Sequence, residues 1–133
     1  MSAVFLDTVG LLALWDVADQ WHVAAESAFS QLSHLRHSLV TTTFVLLECG
    51  NAAARRPYRA EVNRLREVLE KRDELIIPTT NDWTLAWEAF DRGESGQAGV
   101  VDHVSFVVMR RLAMKEAFTN DRHFQAAGFV TLF

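Results

Sequence analysis

Hydrophobic positions along the 133-residue chain follow two different spacings in turn. Short apolar or β-branched runs, typical of buried strands, occur at residues 3–6, 38–44, 75–78, 116–121 and 128–133. Between them, apolar residues recur at helical spacing, which predicts helices over 8–16, 20–35, 44–56, 58–74, 81–92, 99–114 and 121–127. Strands that alternate with helices predict a three-layer α/β/α fold with a mainly parallel central sheet.

The same spacing predicts which side chains share a helix face. Val23, Phe29 and Leu32 recur at roughly helical spacing in the second predicted helix. Trp83 and Trp87 lie four residues apart on one apolar stripe of a later helix. We therefore expect this tryptophan pair to belong to the core rather than to a surface that stacks RNA bases.

The composition is that of an ordinary globular domain, with half of the residues hydrophobic and 23% charged. A chain of this length has room for one hydrophobic core, so we expect a single domain over residues 1–133. The formal net charge of −4 argues against a broad basic surface for nucleic acid. Carboxylates that bind cations would also make this number negative.

The single cysteine, Cys49, has apolar neighbours and is expected to be a buried thiol. The first residues lack the basic and apolar regions of a signal peptide. No apolar run approaches the roughly 20 residues that a membrane span requires. These features predict a cytoplasmic protein without a transmembrane helix.

Four acidic residues stand where the pattern predicts burial or the end of a strand. Asp7 follows the first strand and Asp121 follows a late one, while Glu48 and Asp102 lie in otherwise apolar helices. Parallel strands present their carboxyl ends at one edge of a sheet, so Asp7 and Asp121 are expected to share that edge. Buried carboxylates need partners, and Mg²⁺ and Mn²⁺ prefer carboxylate oxygens. The four residues therefore predict a divalent metal site.

Each of these residues also has a purely structural explanation. Aspartate is favoured at helix N-caps, which would account for Asp7 and Asp121 separately. A salt bridge or a charge near a helix terminus would account for Glu48 or Asp102. The four positions taken together favour the metal site.

These segments resemble a known family. The stretches FLDTVGLLALWD, TTTFVLLECGNA, VVDHVSFVVMRR and AFTNDRHFQAAGFVTL look like the PIN domain, specifically the VapC-type ribonuclease toxins of prokaryotic toxin–antitoxin pairs. In this resemblance Asp7 corresponds to the first strand-end aspartate and Glu48 to the helix glutamate. Asp102 corresponds to the third acidic residue and Asp121 to the late T-x-D-x-x-F aspartate. Gly99 stands where such proteins often carry Ser or Thr.

The resemblance implies both an activity and partners. It implies a metal-dependent endoribonuclease that cleaves single-stranded regions of RNA, with Mg²⁺ or Mn²⁺ bound by Asp7, Glu48, Asp102 and Asp121. It further implies a cognate antitoxin protein that inhibits the enzyme, and a homodimer.

Other functions remain open on the residues themselves. An aspartyl-phosphate phosphatase usually carries Asp-x-Asp, and here the second position is Val9. A receiver-like domain that binds Mg²⁺ usually has paired acids near the first strand and a late lysine, whereas this chain has no lysine after Lys115. A catalytically inactive PIN-like module that binds partners is the remaining alternative.

Basic residues and histidines give weaker signals. The arginine-rich segment 55–72 is interleaved with glutamates, which favours a solvated helix face over an RNA-binding surface. His34 and His37 are expected to be surface residues. His103 and His123 each neighbour a candidate acid, and we expect packed or exposed histidines rather than groups that contact substrate.

Overall fold

A computed structural model describes residues 3–133, and five strands form the centre of the molecule. They are β1 (Ala3–Leu6), β2 (Ser38–Thr42), β3 (Leu75–Ile76), β4 (Glu116–Phe118) and β5 (Val130–Thr131). The helices are α1 (Thr8–Trp15), α2 (His22–His34), α3 (Thr43–Ala53), α4 (Arg59–Lys71), α5 (Thr80–Asp91), α6 (Val100–Arg111) and α7 (Arg122–Ala126). Each strand and helix that the hydrophobic pattern predicted is present within these residues.

The strands form one sheet in the order β3-β2-β1-β4-β5, and each neighbouring pair is parallel. Helices flank this sheet, which confirms the predicted α/β/α fold. In the register between β1 and β4, Leu6 is paired with Phe118. The residues that follow these two strands therefore emerge side by side at the carboxyl edge of the sheet.

Aromatic side chains attach the last two helices to the sheet. The rings of Phe106 on α6 and Phe124 on α7 are fully buried, with their centroids 4.9 Å apart in an edge-to-face contact. Phe124 also contacts Phe5 of β1 at 6.5 Å. These contacts set the positions of the helix starts that carry Asp102 and Asp121.

Gly10 allows α1 to pack directly on β4. A Cβ atom at this position would lie 2.0 Å from the carbonyl oxygen of Phe118. Only glycine avoids this overlap, so the first turn of α1 lies against the end of the strand that leads to Thr119.

The tryptophan prediction is wrong. Trp83 and Trp87 are 49% and 41% exposed, because α5 packs on α6 through the neighbouring stripe that contains Ala86 and Ala89. These small residues allow close helix approach and leave the indole rings at the edge of the contact. The rings instead stack edge to face, with centroids 5.8 Å apart.

Other differences concern the extents of elements. Val23 is 78% exposed, because the buried face of α2 follows Ala25, Phe29 and Leu32 and Val23 lies on the opposite side of that helix. β3 contains two residues, and Ile77 beyond it is 76% exposed. The prediction for Cys49 is confirmed, because this residue is fully buried. Among residues 3–133, no helix has the length and hydrophobicity required to cross a membrane.

Candidate metal centre

Asp7 lies at the junction between β1 and α1 and is 2% exposed. Its Oδ2 accepts a hydrogen bond of 3.3 Å from the backbone N–H of Val9, as an N-cap residue does. The same oxygen accepts a hydrogen bond of 2.8 Å from Thr119 Oγ1. Asp7 therefore has the structural role of a helix cap, but two donors on one oxygen do not neutralise its charge.

The pKa of Asp7 is raised from 3.8 to about 7, mainly by burial and in addition by the nearby charges of Asp102 and Asp121. The hydrogen bonds from Thr119 and Val9 act in the opposite direction. A pKa this high indicates that no cationic group in the described part of the chain stabilises the charged form of Asp7. Such a group is suited to a positive ion.

Asp121 follows β4 and caps α7. Its Oδ1 accepts a hydrogen bond of 2.9 Å from the backbone N–H of His123, and Nδ1 of the same residue lies 2.9 Å from this oxygen. Its own backbone N–H donates to Thr119 Oγ1 at 3.1 Å. The Thr119 hydroxyl is therefore bonded to both strand-end aspartates, and it links the ends of β1 and β4.

Asp102 lies in the first turn of α6. Its Oδ2 accepts a long hydrogen bond of 3.4 Å from the backbone N–H of Gly99, the N-cap residue. Gly99 has no side chain to donate or accept, so only this half of a capping box is present. Burial raises the pKa of Asp102 from 3.8 to about 6, with a further contribution from the charge of Asp121.

Glu48 projects from α3 toward the start of α1. Its Oε1 accepts a hydrogen bond of 2.6 Å from Thr8 Oγ1. Glu48 acts electrostatically on Asp102, whose pKa it helps to raise. Burial, together with the charge of Asp7, also raises the pKa of the adjacent Cys49 thiol to about 12, so this cysteine is a neutral packing residue.

One geometric property is shared by all four carboxylates. Each uses a single oxygen to accept the hydrogen bonds described above, and the other oxygen has no hydrogen-bond partner within residues 3–133. Within the same residues, no lysine or arginine forms an ion pair with any of the four. The protein thus fixes these carboxylates and leaves one oxygen of each available.

The four carboxylates are not equally close. Oxygens of Asp102 and Asp121 and a ring nitrogen of His123 lie within 4.8 Å of one another. Asp7 and Glu48 lie outside this group, although Asp7 is coupled to both aspartates by charge. The two carboxylate oxygens of this group are of the kind that Mg²⁺ and Mn²⁺ prefer, and the buried Asp7 lies near enough to feel their charge.

Comparison with known proteins agrees with this architecture. The family model of the PIN domain matches residues 4–130. The chain belongs to the PIN domain family. Its similarity to "23S rRNA-specific endonuclease VapC20" of Mycobacterium tuberculosis strain CDC 1551 / Oshkosh is 30% identity over 132 residues, covering 96% of this chain and 95% of the relative. The VapC20 of strain H37Rv matches equally well.

Solved structures give the same result. The crystal structure of M. tuberculosis VapC20, described as a sarcin-ricin loop cleaving toxin, matches with a TM-score of 0.77 and 25% identity, over 96% of this chain and 97% of that one. FitAcB of Neisseria gonorrhoeae shares the fold, with a TM-score of 0.59, 16% identity and coverage of 98% and 96%. The predicted assignment to the VapC-type PIN-domain ribonucleases is confirmed.

The sequence did not predict the roles of two threonines in this PIN domain. Thr8 directly follows Asp7, and Thr119 lies two residues before Asp121. Their hydroxyls donate to Glu48 and Asp7, respectively. A threonine within two residues of each strand-end aspartate was the available signal, but its donor role depends on side-chain geometry that spacing does not show.

His103 and the arginines of α4 occupy the kinds of positions predicted for them. His103 is 2% exposed and packs edge to face between Phe90 and Phe106. On α4, Arg66 pairs with Glu70 at 2.7 Å and Arg64 pairs with Glu61, as in a solvated helix face. His123 differs from these residues, because it contacts a candidate metal ligand directly.

Proposed function

We propose that the protein is a metal-dependent endoribonuclease of the VapC type, in which Asp7, Glu48, Asp102 and Asp121 bind Mg²⁺ or Mn²⁺. The main support for this proposal is that each of the four fixed carboxylates has one oxygen without a hydrogen-bond partner among the described residues. Such a set of oxygens is suited to a hard divalent cation. The raised pKa values of Asp7 and Asp102 support the same proposal, since they reflect burial of these groups and repulsion from the neighbouring carboxylates.

A bound divalent ion supplies activation of water and stabilisation of negative charge on the phosphate. The protein residues perform the remaining tasks. Thr119 and the N–H of Val9 hold one oxygen of Asp7, and Thr8 holds one oxygen of Glu48. Because their directions are fixed before the substrate arrives, the free oxygens need little reorganisation during the reaction.

RNA is the proposed substrate, and single-stranded regions are the proposed targets. VapC20 is named for cleavage of 23S rRNA and described as cleaving the sarcin-ricin loop. The first substrates to test are therefore 23S rRNA, an oligonucleotide of that loop and an unstructured RNA. Sequence choice depends on loops and exposed bases that a 30% identical relative need not share.

Cleavage of these RNAs with and without metal tests the proposal. Purified protein is expected to cut RNA with Mg²⁺ or Mn²⁺, to stop in EDTA, and to resume when excess metal is added. Full activity in excess chelator contradicts the metal-dependent mechanism. Binding of RNA without cleavage under any metal condition favours a catalytically inactive module.

We also propose an antitoxin partner that docks in a groove between α1, α2 and α4, in the cytoplasm where the RNA is present. The groove has a volume of about 440 Å³ and apolar walls that include Leu11, Leu14, Phe29, Leu65 and Val68. An amphipathic helix fits such a groove through its apolar face. Leu11 lies one turn after Asp7 on α1, and we propose that a basic residue of the same partner pairs with the carboxylates at the start of that helix.

A homodimer through α5 is the last part of the proposal. Trp83, Trp87 and Phe90 are each more than 40% exposed, and Phe44 extends their edge-to-face series with a 6.1 Å contact to Trp83. A continuous exposed aromatic surface favours association. A second copy is the proposed occupant, because a two-fold axis brings the same apolar patch of both protomers together.

A further inference from the structure

His123 contacts the metal centre, but the proposed hydrolysis gives it no task. Its Nδ1 lies 2.9 Å from Asp121 Oδ1. A carboxylate oxygen only accepts hydrogen bonds, so Nδ1 carries the hydrogen in this contact. In the neutral imidazole the second nitrogen, Nε2, then has a lone pair and no hydrogen.

Asp121 holds one side of the His123 imidazole, and the other side is exposed to solvent. The backbone N–H of His123 donates to the same Asp121 oxygen at 2.9 Å, so this carboxylate holds the residue by two contacts. The His123 side chain is nevertheless 39% exposed. Nε2 has no hydrogen-bond partner among the described residues, and it is a fixed acceptor beside the carboxylates.

The chemistry of RNA offers one donor that matches this acceptor. Phosphate oxygens are acceptors and give Nε2 no hydrogen. The ribose 2′-hydroxyl is a donor, and it is attached to the carbon next to the one that bears the 3′-phosphate. Four carboxylates and a cation act on the phosphodiester, which RNA and DNA share, so they do not distinguish the two nucleic acids. The 2′-hydroxyl does distinguish them.

We propose that His123 Nε2 accepts a hydrogen bond from the ribose 2′-hydroxyl adjacent to the scissile phosphate, and that this contact selects RNA over DNA. The inference rests on the proposed RNA cleavage and names a specificity-determining residue for it. Asp121 then has a second task, because it fixes the tautomer and the orientation of the imidazole, as carboxylates do for other functional histidines.

Single 2′-deoxy substitutions test this contact. An RNA oligonucleotide that the wild type cleaves is compared with versions that carry one 2′-deoxynucleotide on either side of the cleaved bond. At one of these positions we expect kcat/KM of the wild type to fall about 3- to 10-fold, the usual effect of one lost hydrogen bond. In His123→Phe, which keeps an aromatic ring and loses both nitrogens, the same deoxynucleotide is expected to have no further effect.

His34→Phe is the matched control. His34 is exposed near the end of α2, before β2 begins, so it lies toward the opposite edge of the sheet from the carboxylates. This variant is expected to retain the wild-type response to the deoxynucleotide. If His123→Phe does not fold, as judged by circular dichroism, His123→Ala provides the same comparison.

Three results overturn the inference. The first is an equal deoxynucleotide effect in the wild type and in the His123 variant, and the second is no effect in the wild type at either position. The third is an unchanged effect accompanied by a higher Mn²⁺ requirement in His123→Phe, which would make the ring a metal ligand. A wild type that cuts no all-RNA substrate contradicts the proposed function itself, and this outcome is distinct from the other three.

Discussion

The Thr119 hydroxyl donates a 2.8 Å hydrogen bond to Asp7, a residue that lies 112 positions earlier in the chain. Both groups are buried, where a hydrogen bond to a charged carboxylate is stronger than in water. The bond lowers the pKa of Asp7 against the effect of burial, and it fixes which Asp7 oxygen remains free. We therefore infer that Thr119 is a positioning residue for the proposed metal centre.

Replacing Thr119 tests this role. Thr119→Val keeps the shape and removes the donor, and we expect kcat/KM for RNA to fall about 10- to 100-fold, as for other residues that orient metal ligands. Thr119→Ser keeps the hydroxyl and is expected to retain most activity. The dependence of rate on Mn²⁺ concentration is the diagnostic measurement, because Thr119→Val is expected to require more metal. Equal metal requirements in both variants and the wild type would assign Thr119 a packing role only.

The carboxylates themselves are tested by amides of similar shape. Asp7→Asn, Asp102→Asn, Asp121→Asn and Glu48→Gln are each expected to lower the rate of RNA cleavage at least about 100-fold, because each removes a charged oxygen from the site. Asp73→Asn is the control, since Asp73 is exposed in the turn after α4. Native circular dichroism together with near wild-type activity in a site variant would leave that residue as a structural cap.

The raised pKa of Asp7 predicts an unusual dependence of stability on pH. In the absence of a metal ion its pKa is about 7, against an ordinary value of 3.8. Between these values the folded state binds more protons than the unfolded state, so this group lowers the free energy of unfolding as the pH rises. In EDTA at pH 8, Asp7→Asn is therefore expected to melt at least about 4 °C above the wild type.

The same comparison at lower pH and with metal completes this test. The difference in melting temperature is expected to shrink at about pH 5, where Asp7 is largely protonated in the folded protein. Mn²⁺ is expected to stabilise the wild type and not Asp7→Asn, because the ion neutralises the carboxylate that the variant lacks. A wild type that is more stable than Asp7→Asn in EDTA at pH 8 contradicts the assigned burial cost.

The fold was predictable because local pattern and topology agree. Apolar runs at β1 and β4 have few alternatives to a buried parallel strand, and parallel pairing places the following residues, Asp7 and Thr119–Asp121, at one edge. Asp102 and Asp121 lie near enough to Asp7 for their charges to raise its pKa, and Asp121 acts in the same way on Asp102. Their role as metal ligands stays a prediction.

The wrong prediction for the tryptophans concerns which side of α5 is buried, and the sequence of α5 alone does not determine this. Residues 83 and 87 form one stripe of α5, and residues 82, 86 and 89 form the next. The second stripe is the one buried because α6 approaches closely over Ala86 and Ala89, while Arg111 of α6 pairs with Asp82 at 2.7 Å. Hydrophobicity alone favours the tryptophan stripe. Packing against α6 instead buries the stripe that contains Ala86 and Ala89.

This exposed stripe leads to a prediction about assembly. The wild type is expected to sediment as a dimer, and Trp87→Arg is expected to sediment as a monomer because it places a charge in the aromatic patch. Trp21→Arg is the matched control, since Trp21 is 46% exposed before α2 and is not part of the patch. A monomeric wild type at all accessible concentrations rejects the proposed dimer. A dimeric Trp87→Arg that binds RNA more weakly would instead favour a base-stacking surface.

Control by an antitoxin is the last prediction, and it follows from the location of the groove beside α1. A ribonuclease that acts on cellular RNA is expected to stop growth when it is expressed alone. Co-expression with the small protein encoded beside it is expected to restore growth, and Asp7→Asn alone is expected to be harmless. Equal growth in all three cultures, with soluble wild-type protein confirmed, rejects the toxin function.

A variant of the groove separates antitoxin binding from catalysis. Val68 lines the groove on α4 and is 40% exposed, so Val68→Glu is expected to fold and to cleave RNA at the wild-type rate. The buried charge is expected to weaken antitoxin binding at least about 10-fold, because a partner's apolar helix face would have to cover it. Cells that express Val68→Glu with the antitoxin are therefore expected to grow poorly. Val130→Glu is the control, because Val130 is 56% exposed on β5 and lies outside the groove. Full protection of the Val68→Glu cells, with unchanged binding of the purified proteins, would place the antitoxin on another surface and leave the nuclease assignment unaffected.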